Sequence, residues 1–288
     1  DTPSSRGLGD VYKRQKRDQY VLHFPNKMIG LFLGDTDFSE IVLNKIKKLK
    51  KKYFIIDFSK KSKFKSDKHS HRISIGKFGK ILSLIKEKKS KKVLFAGKIA
   101  KPEFSSLRLD FKGIYYMPSV IRAAKKGDVA IIKTIIKIIN KEGIKVISSI
   151  YYNPELSFKY GNYTKLKPNK LDLLSIKKGI KYFNKLNELD HVQALIVNNG
   201  KIVAKEGKGG TRKMLTKLKR NTNGVLIKFP KKKQDLRMDL PTIGLQTLKD
   251  CKKYGLKGIV LKSKKNIILD KAECIQFANK NRIFIKII

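Results

Sequence analysis

The stretch MIGLFLGDTDFSEIVLNKIKKLKKKYFII, residues 28–56, decides the fold. An apolar run over 28–33 ends at Gly34, and Phe38, Ile41, Val42, Ile46 and Leu49 then recur at the spacing of one helix face over residues 38–50. A second apolar run occupies 53–56. A short buried strand, an amphipathic helix and a second strand form a βαβ unit. The alternation continues outward, with strands over 73–75, 93–96 and 145–150, and helices over 78–88, 118–125 and 128–142. The fold class is therefore α/β, with a Rossmann-like, doubly wound parallel sheet covering residues 28–151.

Periodicity fails over 152–168, where two prolines and a glycine mark a linker or ordered loop and hence the domain boundary. A second, mixed α/β domain is expected over 169–288. It opens with a helix over 170–189 and a hairpin, 192–197 and 201–205, turning at Asn199-Gly200. Helices over 212–219, 242–254 and 271–279 alternate with strands over 225–228, 258–261 and 283–287. Residues 1–27 show no core pattern. They are expected to be a non-native or disordered leader, with Met28 the candidate start.

The chain carries 68 basic and 23 acidic residues, a net charge of +45. Ten of the basic residues are Arg and 58 are Lys, and Ile and Asn are plentiful, a composition that a strongly AT-rich coding sequence produces. A sequence-specific nucleic-acid binder uses more Arg, and no aromatic-stacking motif is present, so no specific nucleic-acid partner is expected. A basic RNA-binding protein remains the alternative from another class. The charge also favours an anionic membrane surface, at about 1 kcal/mol per basic residue near the lipid. No apolar run reaches the ~20 residues of a membrane span. Cys251 and Cys274 offer neither a disulfide framework nor metal spacing.

The segment QDLRMDLPTIG, 234–244, is the richest in chemistry. If extended, it puts Asp235, Arg237 and Asp239 on one face, and Pro241 suits the first turn of the helix that follows. Asp239 and Thr242 would then lie at a helix N-terminus, beside amides that favour anions. Two carboxylates, a guanidinium and free amides can hold a divalent metal and a phosphate. In the plainer reading Asp239 caps the helix and Asp235 pairs with Arg237. The loop Gly207-Lys208-Gly209-Gly210-Thr211 could cradle a phosphate, and Gly34 sits where a sheet's carboxyl edge binds nucleotides. Gly76-Lys77-Phe78-Gly79 reads as a helix start, and His69, His71 and His191 lack the partners of a zinc site.

With these residues in place, the chain resembles the UDP-2,3-diacylglucosamine pyrophosphatase family of lipid A biosynthesis, in its two-domain type unrelated to calcineurin-like phosphoesterases. Gln234-Asp235-Leu236-Arg237 with Asp239-Leu240-Pro241-Thr242-Ile243-Gly244 is the most specific match. Phe95-Ala96-Gly97-Lys98, Lys126-Gly127-Asp128, Gln193, Glu206, Gly210-Thr211 and Lys228 follow in family order. The resemblance implies hydrolysis of a nucleotide-linked glycolipid to UMP and 2,3-diacylglucosamine 1-phosphate. The cofactor would be Mg²⁺, with Mn²⁺ the alternative ion, and the ligand would lie between the domains. It makes Asp239 the essential aspartate and Arg237 its catalytic companion, with Asp239, Asp235 and Glu206 as metal ligands. Gly34, Gly97, Lys98, Gln193, Gly210, Thr211, Lys228 and Thr242 become substrate contacts. The expected place of work is the cytoplasmic face of the inner membrane, peripherally bound; association as a homodimer stays open. Three departures bear on substrate: one glycine in the first loop, Gly209 and Arg212 where the family carries acids, and Val129 where it carries a second aspartate. Another UDP-sugar is the alternative substrate.

Overall fold

The computed structural model describes residues 27–100, 102–186, 192–207, 209–232 and 234–288. The leader expected over 1–27, apart from its last residue, lies outside the described residues, as do His191, Lys208 and the end of the helix expected over 170–189. The first sheet has five parallel strands in the order β3-β2-β1-β4-β5. They are β1 (Ile29–Leu33), β2 (Tyr53–Asp57), β3 (Ser70–His71), β4 (Lys92–Ala96) and β5 (Lys145–Ile147). β1 is buried along its whole length because both faces are covered, which is why it reads as a continuous apolar run. Ile29, Leu31 and Leu33 pack with Val42, Leu43 and Ile46 of α1 (Asp37–Lys48). Phe32, Val93 and Phe95 pack on the opposite face with α2 (Phe78–Glu87) and α4 (Asp128–Lys141).

The strand order reverses between β1 and β4, and their two exits touch. The Gly34 amide donates to Ala96 O at 2.9 Å and the Asp35 amide to Lys98 O at 2.9 Å. The fully buried Ser39 hydroxyl sits 2.9 Å from Gly34 O and 2.8 Å from Ala96 O. A Cβ on Gly34 would meet Lys98 O at 2.3 Å, and one on Gly97 would meet Ser39 Oγ at 2.0 Å. Gly97 also has φ +80°, so this crossing accepts no side chain.

Two expectations change here. The edge strand lies at Ser70–His71 instead of 73–75, because Arg72 turns in to cap the end of β2, donating to Asp57 O at 3.0 Å and reaching Ser59 O. Ile73 is left to pack into the core under α2. The helix expected from Pro118 begins seven residues earlier, as α3 (Phe111–Lys125), with Pro118 inside it. The reason is Asp110. Its carboxylate accepts from the Gly113 amide of α3 at 2.8 Å, and from the Gly79 and Lys80 amides of α2 at 3.0 Å each. One carboxylate thus caps two helices, and Gly76–Gly79 is a helix start.

The stretch 152–168 is ordered. Tyr152, Asn153, Leu156 and Phe158 are buried, and Gly161–Asn162 forms the short edge strand β6. The second sheet has six strands in the order β6-β13-β11-β9-β7-β8. The inner strands β9 (Val225–Lys228), β11 (Gly258–Leu261) and β13 (Phe284–Ile287) run parallel. β7 (Ala194–Asn198) pairs antiparallel with β9 and with β8 (Lys201–Lys205). Asn199 and Gly200 both take positive φ, the geometry a tight right-twisted hairpin needs. Helix α5 (Lys170–Lys185) covers one face through Ile176. On the other face lie α6 (Gly210–Leu215), α7 (Leu245–Lys253) and α8 (Lys271–Lys280). The helix expected over 242–254 therefore starts three residues late. Thr242–Ile243 is instead β10, paired with β12 (Ile267–Ile268).

Burial opposes ionisation of Asp110, but the Gly79, Gly113 and Lys80 amides and the nearby Lys77 outweigh it and hold the carboxyl below its ordinary value. Its contribution is therefore complete above the unfolded value of about 4 and is lost as pH falls through the lower folded value. Urea melts of Asp110→Ala should show a loss of about 1–2 kcal/mol at neutral pH that shrinks towards pH ~2. Gly97→Ala should cost about 1–3 kcal/mol more than Gly143→Ala. Both glycines have similar positive φ, but a Cβ on Gly143 meets nothing within 4 Å.

Candidate active site

The loop between β9 and β10 holds the segment 234–240, and it is a turn instead of an extended strand. Asp235 O accepts from the Met238 and Asp239 amides at 3.2 and 3.0 Å. The expected shared face of Asp235, Arg237 and Asp239 is thereby lost. Arg237 folds back on Asp235: Nε reaches Oδ1 at 2.9 Å, an Nη reaches Oδ2 at 2.6 Å, and the Arg237 amide adds a bond to Oδ1 at 3.0 Å. The guanidinium holds the Asp235 carboxyl below its ordinary range, and Asp235 in turn holds the Arg237 proton. Both Asp235 oxygens are occupied. Nor do Asp239 and Thr242 sit at a helix N-terminus, since Thr242 belongs to β10 and α7 starts only at Leu245, after Gly244.

The turn points Asp239 elsewhere. Asp239 and Met238 line a cavity of about 500 Å³ whose other walls come from the first sheet and helices α2, α3 and α4. That cavity is aromatic and aliphatic along its length, with Phe58, Phe78, Phe95, Met117 and Ile132 among its walls, and Gly97, Lys98, Asp128 and Asp239 supply its polar features. The loop is anchored to this side by Ser148 Oγ, which donates to Leu236 O at 3.1 Å, and by Met238, which packs into the first sheet's core. The same loop, at Gln234 and Leu236, also walls a second pocket of about 370 Å³. Lys231, Lys232, Lys262 and Lys265 surround that pocket, and the Phe183 and Phe229 rings stand there 4.9 Å apart.

Burial raises the Asp239 carboxyl above its ordinary value, and the charge of Asp128 raises it further. The Gln234 side chain, Lys231 and Lys228 act the other way. Gln234 is held by its oxygen, which accepts from Gln193 Nε2 at 2.6 Å and from the Lys231 amide at 2.9 Å. Its buried Nε2, short of any full hydrogen bond, is left for the Asp239 side. Lys228 is only 9% exposed and donates to Thr242 O at 3.0 Å. Burial lowers its proton affinity while Glu206 and Asp239 pull it back up. Glu206 is raised by burial and steadied by Lys228 and by the Thr211 hydroxyl at 3.0 Å. Glu206, Lys228 and Asp239 thus form an alternating charge row at the carboxyl ends of β8 and β9.

The expected residues divide accordingly. Asp239, Lys228, Glu206, Thr211, Gln193 and the Thr242 carbonyl are linked with one another, and Gly97 and Lys98 line the same cavity as Asp239. Gly34 is taken up in loop packing, and the Gly210 amide is bonded to Gly207 O at 3.0 Å. Asp128, read from the sequence only within a short motif, lines the cavity with Asp239. A Gly-Asp pair opening an apolar helix was the available signal. Among the described residues no three His, Cys, Asp or Glu side chains gather into a metal cage. Asp128 and Asp239 on one cavity nonetheless suit Mg²⁺, which is commonly held by one or two carboxylates together with substrate phosphates.

Comparison with known proteins matches both halves of the chain. The LpxI N-terminal domain family matches residues 28–156 and the LpxI C-terminal domain family matches residues 159–286. A relative from Caulobacter vibrioides, described as UDP-2,3-diacylglucosamine pyrophosphatase LpxI, is 31% identical over 223 residues, covering 74% of this chain and 80% of the relative. With both halves of the chain matched in order, the chain belongs to the LpxI family.

Proposed function

We propose that the chain hydrolyses the pyrophosphate bond of UDP-2,3-diacylglucosamine, giving UMP and 2,3-diacylglucosamine 1-phosphate for lipid A synthesis. The observation that carries this reading is the double aspect of the 234–239 loop. An apolar cavity that suits acyl chains borders it at Met238 and Asp239, and a lysine-ringed pocket with two phenylalanines borders it at Gln234 and Leu236. A substrate with a lipid at one end and a nucleotide at the other, joined by a pyrophosphate, spans such a divide.

In the reaction a water oxygen bonds to one phosphorus while the bridging phosphorus–oxygen bond breaks, and the bridging oxygen leaves with the other phosphoryl group. Catalysis of this kind is mostly positioning and charge neutralisation. Asp239, with its raised proton affinity, accepts the water proton and aligns the attacking oxygen. Lys228 and Lys231, whose fields already act on Asp239, oppose the charge gathering on the phosphate oxygens. Asp239 and Asp128 are the residues that would hold Mg²⁺, or Mn²⁺ in its place, and the ion supplies charge neutralisation at the phosphates. Asp235, bound at both oxygens, acts by setting Arg237 and the turn, and Glu206 acts by keeping Lys228 charged. No described helix is long and apolar enough to cross a membrane. The lipid substrate would bring the enzyme to the cytoplasmic face of the inner membrane as a peripheral protein.

Asp239→Asn should lower Mg²⁺-dependent release of UMP by about 10³-fold. Because the raised carboxyl means that its charged form is disfavoured by folding, the same variant should melt at or above the wild-type temperature at pH ~8. Full activity in Asp239→Asn would overturn the assignment, and a collapsed melt would make its loss uninformative, in which case Asp239→Glu decides. Asp128→Asn, at an exposed position, should fold normally and require about tenfold more Mg²⁺ for half-maximal rate. An unchanged Mg²⁺ requirement would remove Asp128 from the site.

A further inference from the structure

Helix α3 is apolar on two opposite faces. Gly113, Tyr116, Met117 and Val120 line the cavity. On the outer stripe, at helical spacing, stand Phe111, Ile114, Tyr115 and Ile121, which are 86%, 60%, 62% and 38% exposed. A surface helix normally buries one stripe and presents charge on the other, so a contiguous outward apolar stripe marks a contact surface. Its charge says which. Between Asp110 and Asp128 the chain has no acidic residue, while Arg122, Lys125 and Lys126 stand exposed at the C-terminal end of the stripe. The one other cation of the helix, Lys112, is held by Glu142 at 2.8 Å. Two large aromatics and two branched aliphatics beside unpaired cations match the boundary between the headgroups and acyl chains of an anionic bilayer.

We propose that the outer face of α3 docks the enzyme on an anionic lipid bilayer. Phe111, Ile114, Tyr115 and Ile121 enter the headgroup boundary, and Arg122, Lys125 and Lys126 meet lipid phosphates. The helix, about 22 Å long at 1.5 Å per residue, then lies in the membrane surface with its opposite face against the cavity. Acyl chains of a bilayer-held substrate pass from the membrane to the cavity around a single helix. This last step rests on the proposed lipid substrate; the docking does not.

The test is flotation of the full chain with vesicles of phosphatidylcholine containing about one-quarter phosphatidylglycerol, comparing wild type with the F111S/Y115S variant. Both side chains are mostly exposed, Tyr115 touching Tyr116 only through an edge-on ring contact at 4.8 Å, so the variant should fold as wild type. Its affinity for the vesicles should fall about tenfold or more, while hydrolysis of detergent-dispersed substrate should be unchanged. Wild-type vesicle affinity in the variant would show that the scattered lysines alone drive binding and would overturn the proposal. So would failure of the wild type to float. A wild-type dimer that becomes monomeric in the variant by sedimentation, with vesicle binding unaltered, would assign the stripe to a second copy. Docking that depends on Phe111 and Tyr115 without hydrolysis would leave the docking face standing and the substrate reading overturned.

Discussion

A carboxylate withdrawn from water and set near a second carboxylate stays charged only if cations and dipoles offset the loss of hydration. Asp239 is in that position, and much of the surrounding structure can be understood as what keeps it there. Lys228 and Lys231 act on it from the strand and loop below, and the Gln234 amide turns toward it. Gln234 is itself fixed by Gln193 and the Lys231 amide. Burial of Lys228 at the end of the second sheet lowers its proton affinity, and Glu206 and Asp239 act against that. The arrangement leaves Asp239 more basic than an ordinary aspartate, with the charge of Asp128 acting in the same direction.

The site also ties the two sheets together. Leu236 and Met238 belong to the second half of the chain, yet one is bonded to Ser148 and the other is packed under the first sheet. Any shift of one sheet relative to the other would move Asp239 away from Asp128, because these contacts and the site share one short loop. At the opposite wall, the crossing of the β1 and β4 exits fixes Gly97 and Lys98. Ser39 and the two glycines let the loops approach more closely than any side chain would allow.

Strands were legible where burial on both faces made them continuous apolar runs, as in β1, β4, β9 and β11. They were misplaced where a side chain overruled the pattern, as when Arg72 closed the end of β2 and left Ile73 to the core. The start of α3 was hidden because its cap, Asp110, does double service. Its bonds to Gly79 and Lys80 cross 30 residues or so, which no local pattern records. The 234–244 segment showed its chemistry but not its shape. Alternation put Asp235, Arg237 and Asp239 on one face, whereas an i to i+2 ion pair between Asp235 and Arg237 favoured a turn and sent Asp239 the other way. The partnership of Asp239 with Asp128 depends on that turn and on the packing of the two sheets. Periodicity carries neither.

In a chain with an excess of 45 positive charges, lysines are poor guides to function and the scarce acids are good ones. Most buried or half-buried acids have a structural task. Asp57 organises Ser59 and Phe64 after β2, and Asp67 holds Tyr53 and Lys47. Asp110 caps two helices, Asp172 completes the capping box of α5, and Asp235 holds Arg237. Asp128 makes no hydrogen bond or ion pair to a described residue and stands exposed in the first turn of α4, whereas Asp239 is held in a state that folding disfavours. Asp239, which shares its cavity with Asp128, is thus retained at a cost to the fold. Chemistry on a multiply charged phosphate, where a cation must be gathered before water can attack, gives that cost a reason.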